Sequence, residues 1–342
     1  MISSSKEGVI LVLIITGGDV LGTNAEAIAK ILPKSTAVAT IVVGSRWHFE
    51  NQCSHLGLTL PDFKSVSDVN SSKDAEYYFL DIHENSHQKK SADQISILER
   101  GQLALKALNI CKTIKAQNFA VLTGPIDKSA CAAAGFSFGG QTEFFENLWE
   151  HPACMILAGP KLRVGLATNH LPLRAVADHI SKEGIIKKIN LFNKALKLNF
   201  GIENPRIAVC GLNPHAGDNG LFGDEDTKLI LPAVEEAQNS GINAQGPVPA
   251  DTAFYRCYQG HFDGVLAMYH DQGLAPLKTV HFDTAVNISG GLPHLRLSPD
   301  HGPVKDLFMQ NKVSTKSWEA AYNIAIHSIQ NYSEKLASEG LQ

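Results

Sequence analysis

No stretch of this 342-residue chain is apolar for the length of a membrane span. The longest strongly apolar run, residues 9–15, falls far short of the ~20 residues a membrane helix needs. Lys6 ahead of it imitates a secretory leader, but Glu7 follows and the run stops at Thr16-Gly17-Gly18-Asp19. A buried first strand is the better expectation. Paired cysteines are missing too. Cys53, Cys111, Cys131, Cys154, Cys210 and Cys257 are scattered, with no Cys-x-x-Cys among them. That is the usage of a reduced compartment, with thiols as small core residues, and it predicts a cytoplasmic location. Charge bias is absent as well: 30 Lys and Arg face 34 Asp and Glu, a formal net charge of −4. Such a surface exerts no general attraction on nucleic acid or anionic lipid. There is no repeat and no low-complexity tract, and 44% hydrophobic residues exclude disorder, collagen and coiled coil. Nor is there a Gly-x-Gly-x-x-Gly between strand and helix, a Walker loop, a Gly-x-Ser-x-Gly elbow or a His-Glu-x-x-His helix.

What remains is an alternation of short apolar runs with helix-length segments. The length suits two domains of ordinary size. Strands are expected at 9–16, 41–43, 119–122, 162–168, 207–211 and 264–269. Helices are expected at 24–32 (capped by Asn24 and ended by Pro33), 94–116, 142–149, 173–200 (broken near Gly184), 224–238 and 317–336. The polar stretch 65–93 reads as a surface excursion with short strands. Strands separated by helices predict a largely parallel α/β sheet with helices on both faces.

The strand ends are the informative part, because ligands of open α/β sheets bind outside the carboxyl ends of strands. Three strands end near a histidine: Asn169-His170, Asn213-Pro214-His215 and His270-Asp271. Neutral imidazoles suit Zn²⁺, Co²⁺, Ni²⁺ or Fe²⁺, and three of them leave a coordination position for substrate. Asp218, Asp251 and Asp271 lie near enough in sequence to orient imidazoles. Any single one of the 14 histidines is equally at home as a hydrogen-bonder in a loop. Thr123-Gly124-Pro125-Ile126-Asp127-Lys128 follows a strand as an anion-binding loop or a plain turn. Gly139-Gly140-Gln141-Thr142-Glu143 opens a helix with Thr142 as its cap, an anion-holding N-terminus or simply a well-capped one. Lys278, Asn287 and Arg296, at nine-residue intervals, could together grip a doubly anionic small molecule. Gly217, Gly220 and Gly223 read as a flexible loop around His215.

Several longer motifs carry a resemblance. Cys210-Gly211-Leu212-Asn213-Pro214-His215-Ala216-Gly217-Asp218 is similar to a motif of the 4-hydroxythreonine-4-phosphate dehydrogenase family of pyridoxal phosphate biosynthesis. So are Gly246-Pro247-Val248-Pro249-Ala250-Asp251-Thr252 and Ala267-Met268-Tyr269-His270-Asp271-Gln272-Gly273. Thr123-Gly124-Pro125-Ile126-Asp127-Lys128, His170-Leu171-Pro172-Leu173-Arg174 and Asp300-His301-Gly302 match in order as well, and the likeness runs from residue 9 to about 326. The resemblance implies two α/β/α domains with a cleft between them, similar to isocitrate and isopropylmalate dehydrogenases. It places residues 1–135 with 303–342 in the first domain, and 136–302, with the metal site and dimer interface, in the second. It implies a homodimer whose metal site is shared between subunits. One divalent metal per subunit (Zn, Co, Mg or Mn) would be held by His170, His215 and His270. Substrate-binding positions map onto Gln141, Thr142, Lys278, Asn287 and Arg296, and the cofactor is NAD or NADP bound without the Rossmann glycines.

The implied reaction is metal-dependent oxidation of 4-phosphooxy-L-threonine at C3, then decarboxylation to 3-amino-2-oxopropyl phosphate. Asp251 and Asp271 are candidates for proton transfer or imidazole orientation. The same chemistry on 4-phospho-D-threonate or 4-phospho-D-erythronate is the alternative, and a non-catalytic relative binding metal and phospholigand is a second. Two departures bear on that choice. The family's Gly-His-Thr-Glu reads Gly140-Gln141-Thr142-Glu143 here, an amide in place of a titratable imidazole. Its Gly-Asp-Pro-Ala-Gly-Ile-Gly-Pro-Glu loop reads Gly18-Asp19-Val20-Leu21-Gly22-Thr23-Asn24-Ala25-Glu26, without either proline.

Overall fold

The computed structural model describes residues 11–33, 36–71, 74–83, 90, 94–116 and 119–338, with side chains as far as residue 331. Residues 9 and 10 of the expected first strand, and 72–73, 84–89 and 91–93 of the polar stretch, lie outside the described residues. The chain divides into two compact units, one from Met1–Ser137 with His301–Gln342, the other from Phe138–Asp300. No helix among the described residues is long and apolar enough to cross a membrane. All six cysteines are free and buried.

The first unit holds strands β1 (Val12–Thr16), β2 (Ala39–Gly44), β3 (Lys64–Val66), β4 (Tyr77–Asp81) and β5 (Phe119–Thr123). They lie in the order β3-β4-β2-β1-β5, every pair parallel. All residues of β1, β2 and β5 are buried, which is why these runs read as continuously apolar rather than alternating. Helices α1 (Asn24–Ile31), α2 (Arg46–His55), α3 (Ile97–Asn109) and α4 (Lys128–Ala133) surround the sheet with the closing helix Lys316–Ser338. Sequence reading missed α2, whose apolar side is reduced to Phe49 and Cys53 among polar neighbours. The expected helix 94–116 is shorter. Ser96 starts it with a capping box, accepting from the Glu99 amide at 3.2 Å while its own amide donates to Glu99 at 2.9 Å.

Asn24 does not cap α1. The helix begins there, and the side-chain amide instead donates to the carbonyls of Asp19 (3.1 Å) and Pro125 (3.0 Å). Next to it is a buried acid–base knot. Arg100 donates to both oxygens of Asp19, at 3.0 and 2.5 Å, and to Asp127 at 3.1 Å. Asp127 also caps α4 and pairs with Lys305. The corner 123–128 is therefore a turn locked by its own counter-ions.

The second unit is a mixed sheet: the parallel pairing expected of the chain, complete in the first unit, holds for three of the six strand pairings here. Its strands are β6 (Cys154–Ala158), β7 (Arg163–Leu166), β8 (Ile207–Cys210), β9 (Ala244–Val248), β10 (Gly264–Ala267), β11 (Val286–Gly290) and β12 (Leu295–Pro299). They run in the order β12-β11-β6-β7-β10-β8-β9. β7, β10, β8 and β9 pair in parallel; β12, β11, β6 and β7 pair antiparallel. β11 and β12 escaped the sequence reading because Asn287, Ser289, Arg296 and Ser298 interrupt their apolar pattern.

Helices α5 (Gln141–Trp149), α6 (Val176–His179), α7 (Lys182–Phe200), α8 (Leu231–Asn239), α9 (Ala250–Tyr258) and α10 (His270–His281) complete the unit. The break expected near Gly184 falls slightly earlier, where Ser181 accepts from the Gly184 amide at 3.1 Å and starts α7. The expected helix 224–238 begins as a π-helical turn, Asp226–Ile230, before α8. On α7, Phe192 is fully buried over glycines of β7 and β10. A Cβ at Gly165 would lie 3.0 Å from its ring, and one at Gly264 2.5 Å. Burying a side chain of that size contributes about 1.5–3 kcal/mol.

Candidate active site

β7, β10 and β8 are adjacent and parallel, so their carboxyl ends open along one edge. His170, His270 and His215 follow those ends. The ends are stitched together. Thr168 donates from its amide (3.2 Å) and its hydroxyl (2.7 Å) to the Met268 carbonyl. Gln272 accepts from the Met268 amide at 2.7 Å and donates to the Gly211 carbonyl at 2.8 Å.

The rings of His170 and His270 are 5.6 Å apart. His270 Nδ1 lies 2.7 Å from Asp271 Oδ1, and His170 Nδ1 lies 3.3 Å from Glu143 Oε1. A carboxylate on each Nδ1 holds the proton there and leaves Nε2 as a lone-pair donor, the form a metal requires. Burial resists ionisation of Glu143, but hydrogen bonds from His170, its own backbone and Asn169 outweigh it and bring its pKa down to about 2. The glycine before α5 lies close to this pair: a Cβ at Gly140 would sit 3.4 Å from His170 Cε1 and 3.1 Å from Glu143 Oε2.

His215 does not join this pair. Its exposed ring packs beside Phe222 at 6.2 Å. Residues His215, Ala216, Gly217, Asp218 and Asn219 are consecutively left-handed, with φ between 41° and 79°. Left-handed residues normally occur singly, because each non-glycine one costs about 1–2 kcal/mol. Among the described residues, no three His, Cys, Asp or Glu side chains form a group that could hold a metal. One chain thus offers two neighbouring imidazoles and a third outside that pair, on a loop. Asp218 is exposed on that loop, and Asp251 is exposed in the first turn of α9. Asp271 is 87% exposed at its side chain despite its bond to His270.

A second cluster forms at the start of α5. Arg296 is 2% exposed; it donates to Gln141 Oε1 at 2.9 Å and to Ser289 Oγ at 3.3 Å, and lies over the Phe145 ring at 5.6 Å. Thr142 is not the cap, a place taken by Gly140; its buried hydroxyl meets Ser289 Oγ at 3.0 Å. Ser289 pairs with Arg296 and Asn287 with Ser298 across β11 and β12, so these four share one face of the ribbon. Asn287 Oδ1 is buried without a hydrogen bond. Lys278, on α10, pairs with Asp300 at 3.1 Å. A buried guanidinium beside a helix N-terminus makes a site for an anion. Glu143, Ser289, Thr168, Gln272 and Asp226 had no role in the sequence reading. Glu143 and Gln272 stand inside the quoted motifs, within three residues of a named site residue, which was the available signal.

A sequence profile of the family described as "Pyridoxal phosphate biosynthetic protein PdxA" matches residues 36–325. The chain is similar to a 4-hydroxythreonine-4-phosphate dehydrogenase of Salmonella arizonae, with 36% identity over 322 residues, 93% of this chain and 98% of the relative. A crystal structure of a 4-hydroxythreonine-4-phosphate dehydrogenase from Klebsiella pneumoniae superposes with a TM-score of 0.81 at 31% identity, covering 94% of this chain and 99% of that one. An isocitrate dehydrogenase from Methylococcus capsulatus shares the fold at a TM-score of 0.50 and 10% identity, over 96% of this chain and 89% of that one.

Proposed function

The chain belongs to the PdxA family of pyridoxal phosphate biosynthetic proteins, and from that membership we propose that it is a metal-dependent, NAD(P)-linked dehydrogenase. Its substrate is 4-phosphooxy-L-threonine, oxidised at C3 and decarboxylated to 3-amino-2-oxopropyl phosphate. The observation that carries this reading is the His170–His270 pair, 5.6 Å apart, each imidazole with its Nδ1 tied to a carboxylate. That donor set fits a divalent ion such as Zn²⁺ or Co²⁺. His170 and His270 would hold it together with His215, in a site shared between two copies of the chain in a homodimer. When bound, the ion supplies Lewis acidity to the C3 oxygen, and NAD or NADP accepts the hydride.

The protein's own side chains do the rest. Glu143 and Asp271 keep the two imidazoles in the metal-binding tautomer. Arg296, Gln141, Thr142 and Asn287 grip and orient the phosphate and carboxylate of the substrate, with Lys278 as a point charge. Asp271 is engaged with His270, which leaves Asp251 as the carboxylate to test for taking the hydroxyl proton. The amide of Gln141 binds without titrating, so phosphate recognition draws no pH dependence from that position.

The test is reduced-nicotinamide formation by the purified protein with added divalent metal. It compares 4-phosphooxy-L-threonine with 4-phospho-D-threonate, each with NAD and with NADP. Chelator-sensitive turnover of the first is expected; preference for the second would overturn the substrate assignment and keep the chemistry. Turnover of neither, with metal and ligand still bound, would overturn the enzyme reading.

A further inference from the structure

The loop that presents His215 is anchored at its root chiefly by one side chain. Asp226 is fully buried in the π-helical turn ahead of α8. Its Oδ1 accepts from the Leu212 amide at 2.8 Å, and its Oδ2 from the Asn213 amide (3.1 Å) and the Asn213 side-chain amide (3.0 Å). The same Asn213 nitrogen also donates to Glu225 at 2.8 Å. Gly211 leaves room for this: a Cβ there would stand 2.6 Å from Asp226 Oδ1. The five left-handed residues begin two positions after Asn213, and a backbone in that conformation relaxes unless its neighbours hold it.

We propose that Asp226 is a positioning residue for the metal site, fixing the left-handed loop so that the His215 imidazole is presented at the metal. This rests on the histidine site proposed above. The mechanism is local: a carboxylate acceptor for three N–H donors at the loop's root keeps the turn wound. Asparagine at 226 keeps the volume but offers one oxygen and an N–H₂ that faces N–H donors, so the root opens.

The experiment is Co²⁺ titration of the full-length protein, read by visible absorption, for wild type, Asp226→Asn, His215→Ala and the double variant. Hydrogen exchange at Leu212 and Asn213 accompanies it. Asp226→Asn should weaken Co²⁺ binding tenfold or more and alter the ligand-field spectrum, with both amides exchanging at least tenfold faster. In the His215→Ala background the same substitution should add nothing to the loss of affinity. Asp226→Glu, which retains the carboxylate, should recover part of the affinity, an outcome that loss of packing alone would not produce. Wild-type affinity and spectrum in Asp226→Asn, with weakened binding in His215→Ala, would overturn the positioning role alone. Unchanged binding in both variants would overturn the histidine site, and the positioning role with it.

Discussion

Two polar clusters, one in each unit, are paired in opposite ways. In the first, Asp19 has both oxygens on Arg100, which also reaches Asp127, which in turn pairs with Lys305. Charges there are spent on each other. In the second, the two imidazoles after the strand ends are held by one side only. His170 and His270 engage Nδ1 and leave Nε2 open, and Asn287 keeps a buried oxygen without a partner. The difference separates charge that holds a fold from charge kept in readiness for a ligand. Composition is blind to it, since both units use the same residue types.

That contrast can be broken or sharpened experimentally, beginning with the largest effect. His270→Ala should lower kcat by at least about 10³-fold, roughly 4 kcal/mol of barrier, with a melting temperature near that of wild type. A variant with metal-dependent turnover intact would remove His270 from the site. Arg100→Ala should do the reverse. It strands the buried Asp19 carboxylate, takes one of two cations from Asp127, and costs about 3–5 kcal/mol in denaturant unfolding. A loss under 1 kcal/mol would show that the first unit's knot is not structural. Arg296→Lys retains the charge and loses the planar fork, so KM for the phosphorylated substrate should rise roughly tenfold, about 1.4 kcal/mol. An unchanged KM would remove Arg296 from substrate binding.

The smallest effect should be common to both units. Burial, then the neighbouring His83, pushes His48 of the first unit down to about 4; burial, then His151, does the same to His294 of the second. Unfolded imidazoles protonate near pH 6.5. Each histidine therefore contributes stability that is full above about pH 6.5 and is lost as pH falls toward 4, by about 1–2 kcal/mol each. Replacing either by Phe should flatten the pH dependence of unfolding within that window. A curve as steep as wild type would show that the group replaced was not the one titrating.

How far the sequence was legible follows the same divide. Fully buried parallel strands such as β1 and β10 announce themselves as unbroken apolar runs, and the histidines after β7, β8 and β10 could be placed at strand ends from those runs alone. Polar residues inside strands erase that signal. Asn287, Ser289 and Arg296 face one side of β11 and β12, and the region offers no strand pattern although it is sheet. The His215 segment was legible as a loop from Gly217, Gly220 and Gly223, but its conformation was not. Its left-handed run includes His215, Ala216, Asp218 and Asn219; His, Asp and Asn favour positive φ as single residues, and no residue type marks five of them in succession. Asp226 was hidden by periodicity, since it lies where a regular helix was expected and turns inward from a π-helical one. Side chains that act on other side chains leave no period to read.

The left-handed run has a stereochemical consequence. At Ala216, with φ 55° and ψ 42°, the backbone lies where the mirror-image residue is at rest. A protein assembled by chemical ligation with D-alanine at this one position should tolerate it, where the same exchange in β1 or α7 would be ruinous. Handedness, constant along nearly all of the chain, is locally inverted beside the proposed metal site.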